Sequence, residues 1–236
     1  MKNKRQLKKS FKIVVCFIII IIFVFIIRYL VLINNKNNLL ERIPAVNVSN
    51  DNNVVNQDNW NLSLVNKWNK ISENYEPDLV GISGGEKVDK RIYEPLMEML
   101  EDAKVKNWGQ MPIVVSGYRT YEKQKQLYND KIRSYRNKGY SKEKAREEAE
   151  KWVAMPGYSE HQLGLAIDIN GATYDLYLWL QDNSYKYGFI FRYKGNKTDI
   201  TGTAEEVWHY RYVGMKVAKE MYEQDLCLEE YLELKK

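Results

Sequence analysis

The sequence has little of what builds a disulfide-stapled, collagen-like or disordered protein. Its 236 residues include only two cysteines, 13 glycines and five prolines, whereas 44% of the residues are hydrophobic. This composition excludes a disulfide scaffold, a collagen-like chain and a largely disordered protein. Because domains commonly span about 100–200 residues, the length predicts one sizeable domain with an appendage.

Acidic residues are missing from the first 33 positions. Seven of the 36 lysines and arginines lie there, so the remainder of the chain has 29 basic and 31 acidic residues and a net charge of −2. The net charge of +5 for the whole chain is therefore a property of the N-terminus. We expect no general polyanion-binding surface and no nucleic-acid partner.

A long apolar run predicts an N-terminal transmembrane helix. Residues 13–33 contain one charged residue, Arg28, and 21 helical residues span a hydrocarbon core of about 30 Å. The absence of a small-residue cleavage site after the run favours an uncleaved signal anchor. Six basic residues precede it, so residues 1–12 should be cytoplasmic and the following chain extracellular, in a single-pass membrane protein. Cys16 lies inside the run and Cys227 near the C-terminus, so we expect no intrachain disulfide.

Past the apolar run, the composition divides the chain into a linker and a domain. Residues 34–59 are rich in asparagine and predict a polar linker, and residues 60–236 predict the folded extracytoplasmic domain. Hydrophobic periodicity predicts helices over residues 91–106, 121–136, 141–153 and 174–187 and from 215 onward. Strands are predicted over residues 113–115, 163–169, 189–193 and 206–213. This pattern predicts an α+β domain with a small, mostly antiparallel sheet flanked by helices.

Histidine is scarce, and each of the two histidines has a carboxylate close by in the sequence. His161 precedes Asp168 by seven residues, and His209 follows Glu206 by three. A catalytic zinc site needs three protein ligands, an open position and a further carboxylate as general base, and these four residues could supply them. On spacing alone, ordinary structural histidines are also compatible. The context favours a metal, because Asp168 interrupts an apolar strand where an unpaired carboxylate is costly.

The spacing of Glu206 and His209 requires a local irregularity. Residues three apart lie on opposite faces of a regular strand. If both belong to one site, Glu206 must lie where the strand begins or bends.

Several motifs resemble the zinc D-alanyl-D-alanine carboxypeptidase/dipeptidase family, in particular the VanY-type carboxypeptidases. The resemblance covers roughly residues 90–220 and its blocks occur in the family's order. These blocks are Ser116-Gly117-Tyr118-Arg119-Thr120 with Gln124, Ser159-x-His161-x-x-Gly164-x-Ala166-x-Asp168, and Glu206-x-Trp208-His209.

The resemblance assigns a role to each site residue. It implies one zinc ion per chain, bound by His161, Asp168 and His209. It implies that Glu206 is the general base, which takes a proton from the attacking water. The residues implied to act on the substrate are Arg119, which would also stabilise the oxyanion, Gln124 and Ser159.

The activity implied by the resemblance is removal of the C-terminal D-Ala from peptidoglycan stem peptides or their lipid-linked precursors. Two alternatives stay open: an L,D-carboxypeptidase acting on tetrapeptide stems, and a non-catalytic zinc-containing module that binds cell wall. The presence of both Glu206 and Arg119 favours catalysis. A role in glycopeptide resistance and a role in routine wall trimming are both compatible with the sequence.

Overall fold

The fold is built around an antiparallel sheet. The computed structural model describes residues 57–72 and 75–236. These residues belong to a unit that spans Ser49–Lys236. Its strands are β1 (Leu79–Gly81), β2 (Lys87–Asp89), β3 (Ile113–Ser116), β4 (Ala166–Asn170), β5 (Phe189–Phe191) and β6 (His209–Tyr212). β1 and β2 form a hairpin, and the other four strands form one sheet in the order β3–β4–β6–β5. Every neighbouring pair in that sheet is antiparallel.

Helices flank the sheet. They are α1 (Tyr93–Ala103), α2 (Tyr121–Asn137), α3 (Lys142–Glu150), α4 (Tyr174–Asn183), α5 (Thr198–Thr201), α6 (Met215–Glu223) and α7 (Leu228–Glu233). Short side chains cap three of them: Thr120, Ser141 and Thr173 each accept a hydrogen bond from a backbone N–H in the first turn of α2, α3 and α4.

The alternation of side chains along the strands builds the core. Ile167 and Ile169 of β4 are fully buried, as is Tyr210 of β6. They belong to one apolar cluster with residues of α1 and α4, among them Leu96, Leu100, Leu176 and Leu180. Burying side chains of this size contributes roughly 1.5–3 kcal/mol each, so this cluster is a principal source of stability.

The α+β architecture predicted from the sequence is confirmed, although several elements are shorter than expected. The helix predicted over residues 91–106 is α1 with a 3-10 turn at each end, Lys90–Ile92 and Lys104–Lys106. The helix predicted over 141–153 ends at Glu150, and the one predicted over 174–187 ends at Asn183.

The two strands that contain the candidate site also begin later than predicted. β4 begins at Ala166 because residues Glu160–Leu163 form a 3-10 turn, which ends at Gly164 in the left-handed conformation (φ 72°). β6 begins at His209 because the chain turns at residues 207–208.

No helix in residues 57–72 or 75–236 is long and apolar enough to cross a membrane. Three predicted segments lie wholly or mostly outside the described residues. They are the cytoplasmic segment, residues 1–12, the transmembrane helix, residues 13–33, and the linker, residues 34–59, of which only the last three residues are described.

Candidate active site

The structure brings the two histidines and Asp168 together. Asp168 on β4 and His209 on β6 are directly paired across the sheet, and His161 lies on the 3-10 turn before β4. Asp168 Oδ1 lies 3.0 Å from His209 Nδ1 and 3.4 Å from His161 Nε2. All three residues are buried, and their ligand atoms lie within 4.8 Å of one another. These separations suit zinc, which binds histidine nitrogen and carboxylate oxygen at about 2.0–2.2 Å.

A backbone carbonyl orients His161. Its Nδ1 lies 2.7 Å from the carbonyl oxygen of Gly117 and donates to it, so Nε2 is directed at Asp168. Gly117 also packs against the backbone of β2, where a Cβ would lie 2.3 Å from the carbonyl oxygen of Lys87, so only a residue without a side chain fits at this position. Burial and the nearby Arg119 lower the pKa of His161, which favours the neutral ring that a metal requires.

The electrostatics of the site also favour a cation. Burial opposes a charge on His209, but the nearby carboxylates of Asp168 and Glu160 outweigh it and raise its pKa to about 9. Burial likewise opposes ionisation of Asp168, yet the two histidines hold its pKa well below the usual range. The negative potential of Asp168 and Glu160 therefore stabilises positive charge among the buried ligand atoms. A bound divalent metal ion would supply that charge.

Glu206 lies beside the three candidate ligands. Its Oε2 is 3.7 Å from His209 Nδ1. The backbone N–H of His209 donates to the carbonyl oxygen of Glu206 at 2.9 Å, which closes the turn before β6. The irregularity predicted between these two residues is therefore confirmed. Burial raises the pKa of Glu206 to about 7, so its carboxylate can exchange a proton near neutral pH.

Arg119 supplies a fixed cation on the other side of Asp168. Its Nη2 lies 2.7 Å from Asp168 Oδ2, and its Nε donates to Ser116 Oγ at 2.8 Å. The backbone N–H of Arg119 donates to the carbonyl oxygen of His161 at 3.1 Å. The guanidinium is thereby held at the edge of the site, and its side chain retains 18% of its exposed surface.

Gln124 and Ser159 are both buried and both line the cleft, whose volume is about 630 Å³. The side-chain amide of Gln124 donates to the carbonyl oxygen of Ala154 at 2.7 Å and accepts from Arg119 Nη1 at 3.4 Å. These contacts join Gln124 to the loop after α3 and to Arg119, the residue expected to stabilise the oxyanion. Ser159 is the residue before the turn that contains His161.

Sequence reasoning missed a group of charged residues behind His209. Glu160, Arg192 and Arg211 are all buried, and the Glu160 carboxylate pairs with both arginines. Their signal was available, because Arg192 and Arg211 interrupt apolar and aromatic stretches in the same way as Asp168 does. A buried charge in such a stretch needs a partner.

Comparison with known proteins agrees with this site. The family model described as VanY, D-alanyl-D-alanine carboxypeptidase, matches residues 85–215. The chain belongs to this family. It is 49% identical to a D-alanyl-D-alanine carboxypeptidase of Enterococcus faecalis over an alignment of 182 residues that covers 75% of this chain and 67% of the relative.

Two solved structures of VanY proteins are similar to this VanY-family chain. A VanY D,D-pentapeptidase mutant in complex with Zn(II) is 48% identical, with a TM-score of 0.70, over 73% of this chain and 99% of that one. VanYB in complex with D-alanine-D-alanine is 49% identical, with a TM-score of 0.72, over 75% of this chain and 99% of that one. The resemblance predicted from the motifs is confirmed, and zinc is the metal that fits the site.

Proposed function

We propose that this chain is a zinc-dependent D,D-carboxypeptidase that removes the C-terminal D-Ala from peptidoglycan stem peptides. The observation that carries the proposal is the convergence of His161, Asp168 and His209 beside a buried carboxylate, Glu206, in an open cleft. The names of the VanY relatives, a D-alanyl-D-alanine carboxypeptidase and a structure with D-alanine-D-alanine bound, support the substrate class.

The chain's own residues divide the reaction between them. His161, Asp168 and His209 hold the zinc ion, which when bound polarises the peptide carbonyl and makes water more acidic. Glu206 takes the proton from the attacking water and returns it to the leaving amine. The Arg119 guanidinium stabilises the negative charge that develops on the carbonyl oxygen. Gln124 and Ser159 shape the cleft that receives the substrate terminus.

A stem-peptide assay tests this function. The purified full chain is incubated with a pentapeptide stem ending in D-Ala-D-Ala and with the corresponding tetrapeptide, and the products are weighed. We expect loss of one alanine from the pentapeptide, abolished by a chelator and restored by zinc. Cleavage of the tetrapeptide alone would replace the D,D assignment by an L,D-carboxypeptidase. Bound zinc without hydrolysis of either stem would replace it by a wall-binding module.

The proposed location places the enzyme near its substrate. Residues 13–33 anchor the chain, residues 1–12 are cytoplasmic, and the domain that follows the linker is extracellular. A random coil of 26 residues, the length of the predicted linker, has a mean reach of about 30 Å, which would suffice for lipid-linked precursors and the adjacent wall.

Protease accessibility tests the location. Protease added to cells without walls should cut within residues 34–59 and release an active fragment, whereas the intact chain fractionates with membranes. Protection of the domain until the membrane is broken would show the opposite orientation.

A further inference from the structure

A second buried carboxylate faces the other ring nitrogen of His209. The Glu160 side chain has no exposed surface, and its Oε1 lies 2.8 Å from Arg192 Nε and 3.0 Å from Arg211 Nη1. Its other oxygen, Oε2, lies 3.6 Å from His209 Nε2. Both of these atoms are buried and have no hydrogen-bond partner among the described residues. Each is thus left with the other as its partner.

We propose that Glu160 is a positioning residue that accepts the Nε2–H of His209 and so keeps Nδ1 free to bind the metal. A neutral imidazole has one N–H and one lone pair, so a proton on Nε2 leaves the lone pair on Nδ1. Nδ1 is the nitrogen that lies 3.0 Å from Asp168 Oδ1 in the candidate zinc site. Metal-binding histidines commonly donate their second N–H to a carboxylate in this way. The inference rests on the proposed function because it concerns the same zinc site.

The geometry permits this bond with little rearrangement. The separation of 3.6 Å exceeds a hydrogen bond by roughly 0.5 Å, since N–H···O bonds span about 2.7–3.2 Å. Because Arg192 and Arg211 both bind Oε1, the carboxylate is held with Oε2 turned to the histidine. Glu160 immediately precedes His161 in the same 3-10 turn, so one turn would supply a zinc ligand and the partner of another.

The ion pairs that hold Glu160 extend to both ends of the described chain. Arg192 Nη1 and Nη2 donate to the two carboxylate oxygens of Glu229 on α7, at 2.8 and 2.7 Å. Glu229 in turn accepts from the side-chain amide of Asn66 at 2.9 Å. Two glutamates and two arginines balance in charge, so the cluster has no net charge, and all but the half-buried Glu229 are buried. Asn66 and Glu229 both lie outside residues 85–215, the part that matches the family model, and yet they support the partner of His209.

A purely structural role for the cluster makes a different prediction from a positioning role. Buried ion pairs can affect folding alone, and breaking one is then destabilising wherever it lies. The chain contains a suitable comparison in Asp89, whose side chain is also fully buried and is paired with Arg91 at 2.6 Å. Loss of the Asp89 charge tests stability without touching the candidate zinc site.

The decisive experiment measures zinc affinity in the full chain. Zinc dissociation constants are determined by competition with a chromophoric chelator for the unmodified chain, Glu160→Gln and Asp89→Asn, beside thermal unfolding of each. In Glu160→Gln the two arginines would hold the amide oxygen, so the amide NH₂ would face Nε2 of His209. An NH₂ group donates to Nε2 and favours the tautomer with its proton on Nδ1, the nitrogen that binds the metal. We therefore expect Glu160→Gln to bind zinc about 10–100-fold more weakly. Its cobalt-substituted form should show an altered visible spectrum. Asp89→Asn should lower the unfolding temperature and leave zinc affinity unchanged.

Unchanged zinc affinity and cobalt spectrum in a folded Glu160→Gln variant would overturn the inference. If that variant does not fold, Glu229→Gln decides, with Glu233→Gln at the exposed end of α7 as its matched control. We expect a several-fold loss of zinc affinity for Glu229→Gln alone, and equal affinity in the two variants would overturn the inference. Failure of the unmodified chain to bind zinc would instead refute the proposed function.

Discussion

The two faces of the four-stranded sheet differ in polarity, although the same strands form both: one face is apolar and the other carries charged and metal-ligating side chains. On β4, Ile167 and Ile169 point into the apolar core, whereas Asp168 between them points to the candidate zinc site. On β6, Tyr210 belongs to the core and His209 to the site. Side-chain alternation along a strand thus separates stability from chemistry over a single residue.

This contrast teaches where a buried charge is informative. Burial of an apolar side chain is favourable by itself, so the core face needs no further explanation. Burial of a charge costs free energy unless a partner compensates it. On the charged face Asp168 pairs with Arg119, and Glu160 pairs with Arg192 and Arg211. Three ligand atoms converge there within 4.8 Å of one another. The face that is costly to bury is therefore the face that carries the chemistry.

The largest effect is expected when a zinc ligand is removed from the charged face of the sheet. His209→Ala deletes one of three zinc ligands, and no other histidine besides His161 exists to replace it. We expect elemental analysis to show about one zinc per unmodified chain and none in the variant, with hydrolysis below detection. Tyr210→Phe, the adjacent residue on the core face, is the control and should retain zinc. Full zinc content in His209→Ala would refute the ligand set.

The second change separates metal binding from catalysis on the same face. Glu206→Gln keeps the shape of the side chain and removes the proton acceptor. Turnover of the pentapeptide stem should fall by about 10²–10⁴-fold, and zinc content should be unchanged. Near-normal turnover would show that Glu206 is not the general base, and loss of zinc would show that it is a ligand.

The third change tests the geometry of the cation beside Asp168. In Arg119→Lys a single ammonium replaces the planar guanidinium that binds both Asp168 Oδ2 and Ser116 Oγ. We expect turnover to fall by about 10²-fold, the size of effect seen on loss of one oxyanion donor, with zinc retained. Steady-state kinetics with the pentapeptide measure this. Unaltered turnover would leave Arg119 without a role in the reaction.

The smallest effect belongs to the core face. Ile169→Val removes one buried methylene next to Asp168 in sequence but on the opposite side of the strand. The free energy of unfolding, measured by urea denaturation, should fall by about 0.5–1.5 kcal/mol. Zinc content and turnover should not change. A loss of zinc in this variant would show that the two faces are not independent.

Sequence reasoning was most accurate where local signals act. Hydrophobic periodicity located the principal helices and the strands of the four-stranded sheet, and the caps Thr120, Ser141 and Thr173 begin three of the helices. It was least accurate at element ends around the site. The strands β4 and β6 start at Ala166 and His209 because the preceding turns carry His161 and Glu206. The positions of those turns follow from packing and from hydrogen bonds between distant segments.

The sequence by itself determined the family and the need for a bend before His209. It also determined the four candidate site residues, which are His161, Asp168, Glu206 and His209. These conclusions depend on residue type, order and spacing along the chain. Only the tertiary structure decided which nitrogen of each histidine faces Asp168, and that Glu160, Arg192 and Glu229 form one ion cluster behind the site. The contacts of Glu160 with Arg192, of Arg192 with Glu229 and of Asp168 with His209 join residues 32, 37 and 41 positions apart. No local pattern encodes the register and packing that bring such residues together.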